Sequence, residues 1–143
     1  MERVKQLLSH LMRPKWPIYL AAGLAALAAQ FHAYVLPEHF HEWWGYGVAF
    51  LAMVIFQDIF AVLILSSPRR PVYLLGIAGT LAMVSIWFVS RFVGLPLGPS
   101  AGELEPVGLL DVATQTIEIG LIVTLALLAQ PRFVTHSRRV AHA

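Results

Sequence analysis

The chain has 143 residues, of which 58% are hydrophobic and 13% are charged, and its formal net charge is +2. A soluble domain has roughly a quarter of its residues charged, so this composition indicates a membrane protein. Four crossings of about 20 apolar residues each nearly fill the length, which excludes a separate soluble catalytic domain. Cysteine is absent, and its absence excludes disulfides, thiolate metal sites and c-type haem attachment.

The N-terminal segment, residues 1–15, is basic and carries apolar residues at helical spacing, including Val4, Leu7 and Leu11. Such a pattern is typical of an amphipathic helix that lies on the inner membrane surface. A frayed basic tail fits the same residues. Both interpretations stay open.

Four long apolar runs follow, at about 16–36, 43–65, 72–89 and 107–129. The first is expected to begin at Pro17 and to end before Pro37, because proline is tolerated in the first helical turn and disfavoured in a helix interior. It is too long for the apolar region of a signal peptide. None of the runs alternates like a strand. The prediction is an all-α membrane protein, a four-transmembrane-helix bundle followed by a basic tail, residues 130–143.

The orientation follows from the distribution of lysine and arginine, which are retained on the cytoplasmic side of a membrane. Nine basic residues fall in the two terminal segments and the second connection: Arg3, Lys5, Arg13, Lys15, Arg69, Arg70, Arg132, Arg138 and Arg139. The opposite side has Arg91 alone, together with several glutamates. Both termini are therefore predicted to be cytoplasmic.

A weak internal repeat relates the starts of the first and third spans. Residues 13–20 and 68–74 share a Pro, Arg and Tyr-Leu pattern. The similarity favours two tandem helical hairpins related by a parallel pseudo-symmetry. Chance matching of boundary residues is the alternative, and the sequence does not separate the two.

Polar side chains interrupt two of the spans. Asp111, Gln115 and Glu118 share one face of the fourth span, and Gln57 and Asp58 lie in the second. A charged side chain at the centre of a span costs at least about 2.5 kcal/mol, so such residues usually face the bundle interior. We expect these acids to face a shared interior, with no Lys or Arg at matching depth. They form either a proton or cation path or a set of hydrogen bonds between helices.

Arg91 lies at the outer end of the third span and is expected to pair with Glu105 or Asp111. An ion pair there would tie the third connection, residues 91–106, to the bundle. That connection is rich in glycine and proline and is too apolar for a free linker. It is predicted to fold back over the outer end of the bundle, either as a lid or as an ordinary packed loop.

A cluster of histidine and glutamate, namely Glu38, His39, His41 and Glu42, connects the first two spans. Imidazole and carboxylate groups are the usual metal ligands when thiols are absent. In a helix, Glu38, His41 and Glu42 share a face, whereas in an extended segment His39 and His41 point the same way. A divalent metal ion is the one candidate cofactor, and a solvated rim is the alternative. Only His32 lies inside a span, which argues against a buried haem.

Three segments carry a resemblance: Glu38-His39 with Glu42-Trp43-Trp44-Gly45-Tyr46-Gly47, the run from Arg91 to Pro99, and the run from Glu105 to Asp111. In these segments the chain resembles a group of small uncharacterised bacterial four-helix membrane proteins. The resemblance extends from the first span onward. It implies the four-helix fold and a bacterial inner membrane, and it brings no activity.

The expected function is the binding or passage of a cation or proton through an outward-facing groove. The groove is expected to be lined by Glu38, His41, Glu42, Arg91, Glu105 and Asp111, with Glu118 and Asp58 beneath it. A non-catalytic accessory subunit of a larger membrane complex is the second hypothesis, and a metal-dependent membrane enzyme is the third. The expected partners are membrane lipids and either further copies of the chain or a larger complex. No nucleic acid partner is expected.

Overall fold

A computed structural model of the chain describes residues 15–130. Within this range the chain forms four helices and no strand: α1 Trp16–Glu42, α2 Trp44–Ser66, α3 Arg70–Phe92 and α4 Leu109–Ala129. Each is long and apolar enough to cross a membrane. The all-α, four-helix membrane fold is thus confirmed. The predicted amphipathic segment and basic tail lie outside the described residues, apart from Lys15 and Gln130.

α1 is longer than predicted. It continues through Pro37 to Glu42 instead of ending before the proline. A proline inside a helix costs about 3 kcal/mol, so other contacts must offset it. The turns after Pro37 pack on α2: the His39 ring stacks on Phe50 with centroids 3.6 Å apart, and the Phe40 ring occupies the space that a side chain at Gly47 would fill.

α1 and α2 form a tight antiparallel hairpin. Trp43 alone separates the two helices, with an extended backbone (φ −165°, ψ 135°), and its N–H donates to the His39 carbonyl. The face of α1 that contacts its neighbours is built largely from alanine, with Ala21, Ala25 and Ala28 fully buried. Small side chains let helix backbones approach closely in a membrane, where no hydrophobic force drives association.

The bundle has two distinct ends. The end at which Lys15, residues 67–69 and Gln130 lie is called the basic end, and the end at Trp43 and residues 93–108 is called the mouth. Towards the basic end, buried apolar side chains from all four helices form one cluster, called here the apolar plug: Ala21, Ala22, Ala25, Phe60, Ala61, Ile64, Val72, Tyr73, Leu121 and Leu125. α1 packs against α2 and α4, and α4 packs against α3, whereas α2 and α3 pack less closely than these neighbouring pairs.

The connection 93–108 folds back over the mouth, as predicted. The Tyr46 hydroxyl donates to the Leu97 carbonyl at 2.7 Å, and the Glu105 N–H donates to the Ser90 carbonyl at 3.1 Å. Gly94 has a φ of 87° and lies against the backbone of Gly102, so that a Cβ there would come within 2.6 Å of it. Both conditions require glycine at this position.

Candidate functional site

Glu118 lies near the middle of α4 and is completely buried. Its Oε1 accepts a hydrogen bond from Gln57 Nε2 of α2 at 3.1 Å, and its Oε2 accepts one from Gln115 Nε2 at 3.3 Å. Both donors are uncharged amides. A buried carboxyl group in a membrane is stable only when its oxygens are hydrogen-bonded, and Gln57 and Gln115 supply those bonds.

His32 of α1 completes the group. Its Nδ1 lies 2.9 Å from Gln57 Oε1. Since Gln57 donates to Glu118 through Nε2, its oxygen is an acceptor, and Nδ1 of His32 must carry the hydrogen. In the neutral ring Nε2 then has a free lone pair. This atom lies 3.8 Å from Glu118 Oε1.

These four residues, His32, Gln57, Gln115 and Glu118, are called here the polar cluster. They join three helices by side-chain contacts between α1, α2 and α4. The sequence placed Gln115 and Glu118 on one face of the fourth span, and the structure keeps them together. The sequence named Gln57 among the polar residues within the spans, but it did not indicate that His32 would contact them.

Asp58 does not belong to this cluster. It is exposed on the outer surface of α2, and its side chain has no hydrogen bond or ion pair with any other residue from 15 to 130. The expectation that Asp58 faces a shared interior beneath Glu118 is therefore wrong. Gln57, one position earlier and about 100° around the helix, faces the interior instead.

Arg91 pairs with both of its predicted partners. Its Nη2 donates to Asp111 Oδ1 at 2.9 Å, and its Nη1 contacts Glu105. Asp111 also accepts the Gly108 N–H at 2.7 Å through Oδ2, which caps the first turn of α4. The ion pairs tie the end of α3, the connection and the start of α4 together at the mouth.

One of the four predicted metal ligands, His39, lies apart from the other three. Glu38, His41 and Glu42 are exposed, whereas His39 turns inward and its Nδ1–H donates to the Val35 carbonyl at 2.9 Å. Across residues 15–130 no group of three or more His, Asp or Glu side chains could hold a metal ion. The continuation of α1 separates His39, because a helix directs it away from the face that the other three share.

A cavity of about 110 Å³ lies between the mouth and the polar cluster. Arg91, Glu105 and Asp111 line it near the mouth, and His32 and Gln115 line it next to Glu118. A single water molecule needs about 10 to 15 Å³ of cavity volume, so this cavity can hold several water molecules.

The cavity ends at the polar cluster. No residue that lines it lies closer to the basic end than Phe31, Met53, Met83 and Gln115 do on their helices. Beyond them the apolar plug closes the bundle, and Ile64, Leu121 and Leu125 are fully buried there.

Comparisons of the chain with protein-family models, curated proteins and solved structures found no match. The resemblance to small bacterial four-helix membrane proteins stays a prediction.

Proposed function

We propose that the chain binds a proton at His32 and Glu118, reached through the cavity from the mouth. The observation that carries the proposal is the approach of two hydrogen-bond acceptors, His32 Nε2 and Glu118 Oε1, to 3.8 Å in a buried site. Two facing lone pairs without a donor between them are unfavourable. One added proton on either atom places a donor opposite an acceptor.

A proton suits this site better than a metal cation. Na⁺ and Ca²⁺ require several oxygen ligands, as do other hard cations. Around Glu118 the two glutamine side chains direct N–H groups at the carboxyl oxygens, and His32 presents a nitrogen. A metal ion would have to displace those donors, whereas a proton leaves all of them in place.

The orientation of the mouth is part of the proposal. Lys15, Arg69 and Arg70 lie at the basic end, and basic residues favour the cytoplasmic side. In a bacterial inner membrane the mouth would then face outward, and both termini would be cytoplasmic. Protons would enter from the outer side through water in the cavity.

Passage across the membrane requires a further step. The apolar plug separates the polar cluster from the basic end, and a dry apolar layer does not conduct protons. We infer that proton binding occurs in the conformation with the plug closed, and that transport would need the plug residues Phe60, Ile64 and Leu125 to move apart.

Infrared spectroscopy of the purified protein tests proton binding directly. The carbonyl band of a protonated carboxyl group should change with pH in the wild-type chain and disappear in Glu118→Gln. In His32→Gln the pH midpoint of the same band should move. Asp58→Asn is the matched control, because it removes a carboxyl group of another membrane-spanning helix that lies outside the polar cluster. A band that persists in Glu118→Gln, or that is lost only in Asp58→Asn, would refute the assignment.

A second function, that of an accessory subunit in a larger membrane complex, is favoured by the position of Asp58. Its side chain faces outward among Ile55, Ile59 and Val62, which are all exposed. Depending on depth, a charged residue among lipid tails costs about 2.5 to 3.5 kcal/mol. A partner helix with a hydrogen-bond donor at the same depth would remove most of that cost.

Because the chain has no cysteine, this surface can be tested by cross-linking in native membranes. Ile59→Cys should cross-link to one neighbouring protein in a defined position, and adding Asp58→Leu should abolish the product. Leu127→Cys, on the exposed face of α4, is the control and should give no product. Equal cross-linking with and without Asp58 would exclude this surface as the contact.

A further inference from the structure

Three buried polar atoms in the cavity walls have no hydrogen-bond partner among residues 15–130: Trp87 Nε1, Arg91 Nε and Gln115 Oε1. Gln115 is 9% exposed. Native proteins hydrogen-bond roughly nine in ten or more of their buried polar groups, so three unpartnered atoms around one cavity need an explanation. A bound molecule that supplies the missing partners provides one.

One part of the cavity wall is apolar and suits the ring of an organic molecule. Phe31 and Phe50 contribute aromatic rings to the cavity, and Met53, Met83 and Ile86 contribute flexible or branched apolar chains. An engineered apolar cavity of about 150 Å³ holds benzene, so the apolar part of this wall can contact an aromatic ring. At about 110 Å³ this cavity is near the size of one six-membered ring, and methionine side chains adapt readily to a guest.

The three unpartnered atoms restrict which polar group a bound molecule can carry. Trp87 Nε1 and Arg91 Nε are donors, and Gln115 Oε1 is an acceptor. His39 also lines the cavity, and since its Nδ1–H donates to Val35, its Nε2 is a second acceptor in the neutral ring. The guest must therefore both accept and donate hydrogen bonds, as a hydroxyl group does and a ketone does not.

The charges around the cavity exclude an anion. Among the described residues that line it, Arg91 is the single Lys or Arg. Glu105 and Asp111 both pair with it, which leaves a formal charge of −1 at the mouth side. We propose that the cavity is a binding site for an uncharged phenol, with the ring against the aromatic and methionine walls and the hydroxyl among Trp87, Arg91 and Gln115.

The phenol proposal does not rest on proton binding by His32 and Glu118, although a bound phenol would replace the water between the mouth and the polar cluster. The contact of Gln115 with Glu118 uses its Nε2, whereas the atom assigned to the phenol is Oε1. Because Gln115→Leu also removes the hydrogen bond to Glu118, Trp87→Phe is the variant that changes the phenol site alone, and proton binding is measured without phenol.

The test uses the full chain in lipid nanodiscs and fluorine NMR of 4-fluorophenol, with empty nanodiscs as the reference for partitioning into lipid. Saturable binding is expected for 4-fluorophenol, at least about threefold weaker binding for fluorobenzene, and none for 4-fluorobenzoate. Gln115→Leu and Trp87→Phe should each weaken 4-fluorophenol binding about threefold to tenfold, the value of one neutral hydrogen bond. Gln30→Leu, an exposed glutamine of α1, should change nothing.

Three results would overturn the proposal. Equal affinity for fluorobenzene would show a purely apolar pocket, and tighter binding of 4-fluorobenzoate would show an anion site. Absence of saturable binding by all three probes would show that water occupies the cavity. If Gln115→Leu fails to fold by circular dichroism, Trp87→Phe decides the question, because it keeps the aromatic ring and removes the donor.

Discussion

Replacing Gln57 by leucine measures how strongly the polar cluster holds the bundle together. Gln57 is completely buried and makes two side-chain hydrogen bonds, to His32 at 2.9 Å and to Glu118 at 3.1 Å. Leucine has a similar volume and can make neither bond. The substitution therefore removes both links between α2 and its neighbours without opening a large cavity.

The magnitude follows from the number of bonds that are lost. Hydrogen bonds between helices in a membrane contribute on average about 0.6 kcal/mol each and at most about 1.7 kcal/mol. Two such bonds predict a loss of about 1 to 3.5 kcal/mol in the free energy of unfolding. The same exchange at Gln30, which is exposed on α1 and has no hydrogen bond from its side chain to any other described residue, should change it by no more than about 0.5 kcal/mol.

The assay is reversible unfolding in mixed micelles or bicelles, with helix content followed by circular dichroism. Gln57→Leu and Gln30→Leu are compared under the same conditions, so that any general effect of a glutamine-to-leucine exchange cancels. A difference between the two variants of less than about 0.5 kcal/mol, the usual range for surface substitutions, would show that the hydrogen bonds of the polar cluster do not stabilise the bundle.

Three further substitutions test other parts of the fold. A Cβ at Gly76 would lie 2.2 Å from the buried Phe60 ring, so Gly76→Val should lower the free energy of unfolding by about 1 to 3 kcal/mol. Gly23 has open space around it, so Gly23→Val should lower the free energy of unfolding less in the same chemical unfolding experiment. Arg91→Leu leaves two carboxyl groups without their cation and should increase the rate at which a protease cleaves the connection 93–108; an unchanged rate would show that the ion pairs do not hold it. Gly94→Ala forces a side chain into the left-handed region and into backbone contact, and a thermal melting temperature equal to that of the wild type would contradict the turn described at Gly94.

The fold could be predicted because the bilayer imposes it. Runs of about 20 apolar residues have one stable arrangement in lipid, and the spans at 43–65 and 107–129 agree with α2 and α4 to within two residues at each end. The end of α1 could not be predicted in the same way. Proline at position 37 argues for a boundary, and the contacts that override it come from α2, which is a separate helix.

The site was only partly predictable, and Gln57 and Asp58 show why. They are neighbours in sequence and about 100° apart on the helix, so only one of them can face the interior. α2 has apolar residues on every side, so its sequence has no polar face that would predict which side of the helix faces the interior. Asp58 was expected to face the interior because it is charged. Gln57 faces the interior instead, because its amide can hydrogen-bond to His32 and Glu118 at once.

The length of α1 links the protein to the thickness of its membrane. With 27 residues it extends about 40 Å, against about 30 Å of hydrocarbon in a typical bilayer. The surplus of about 10 Å matches the stretch from Pro37 to Glu42, which would stand at the level of the lipid head groups. Lipids with longer acyl chains would immerse Glu38 and Glu42 in hydrocarbon, whereas Glu118, near mid-depth, would keep the same surroundings.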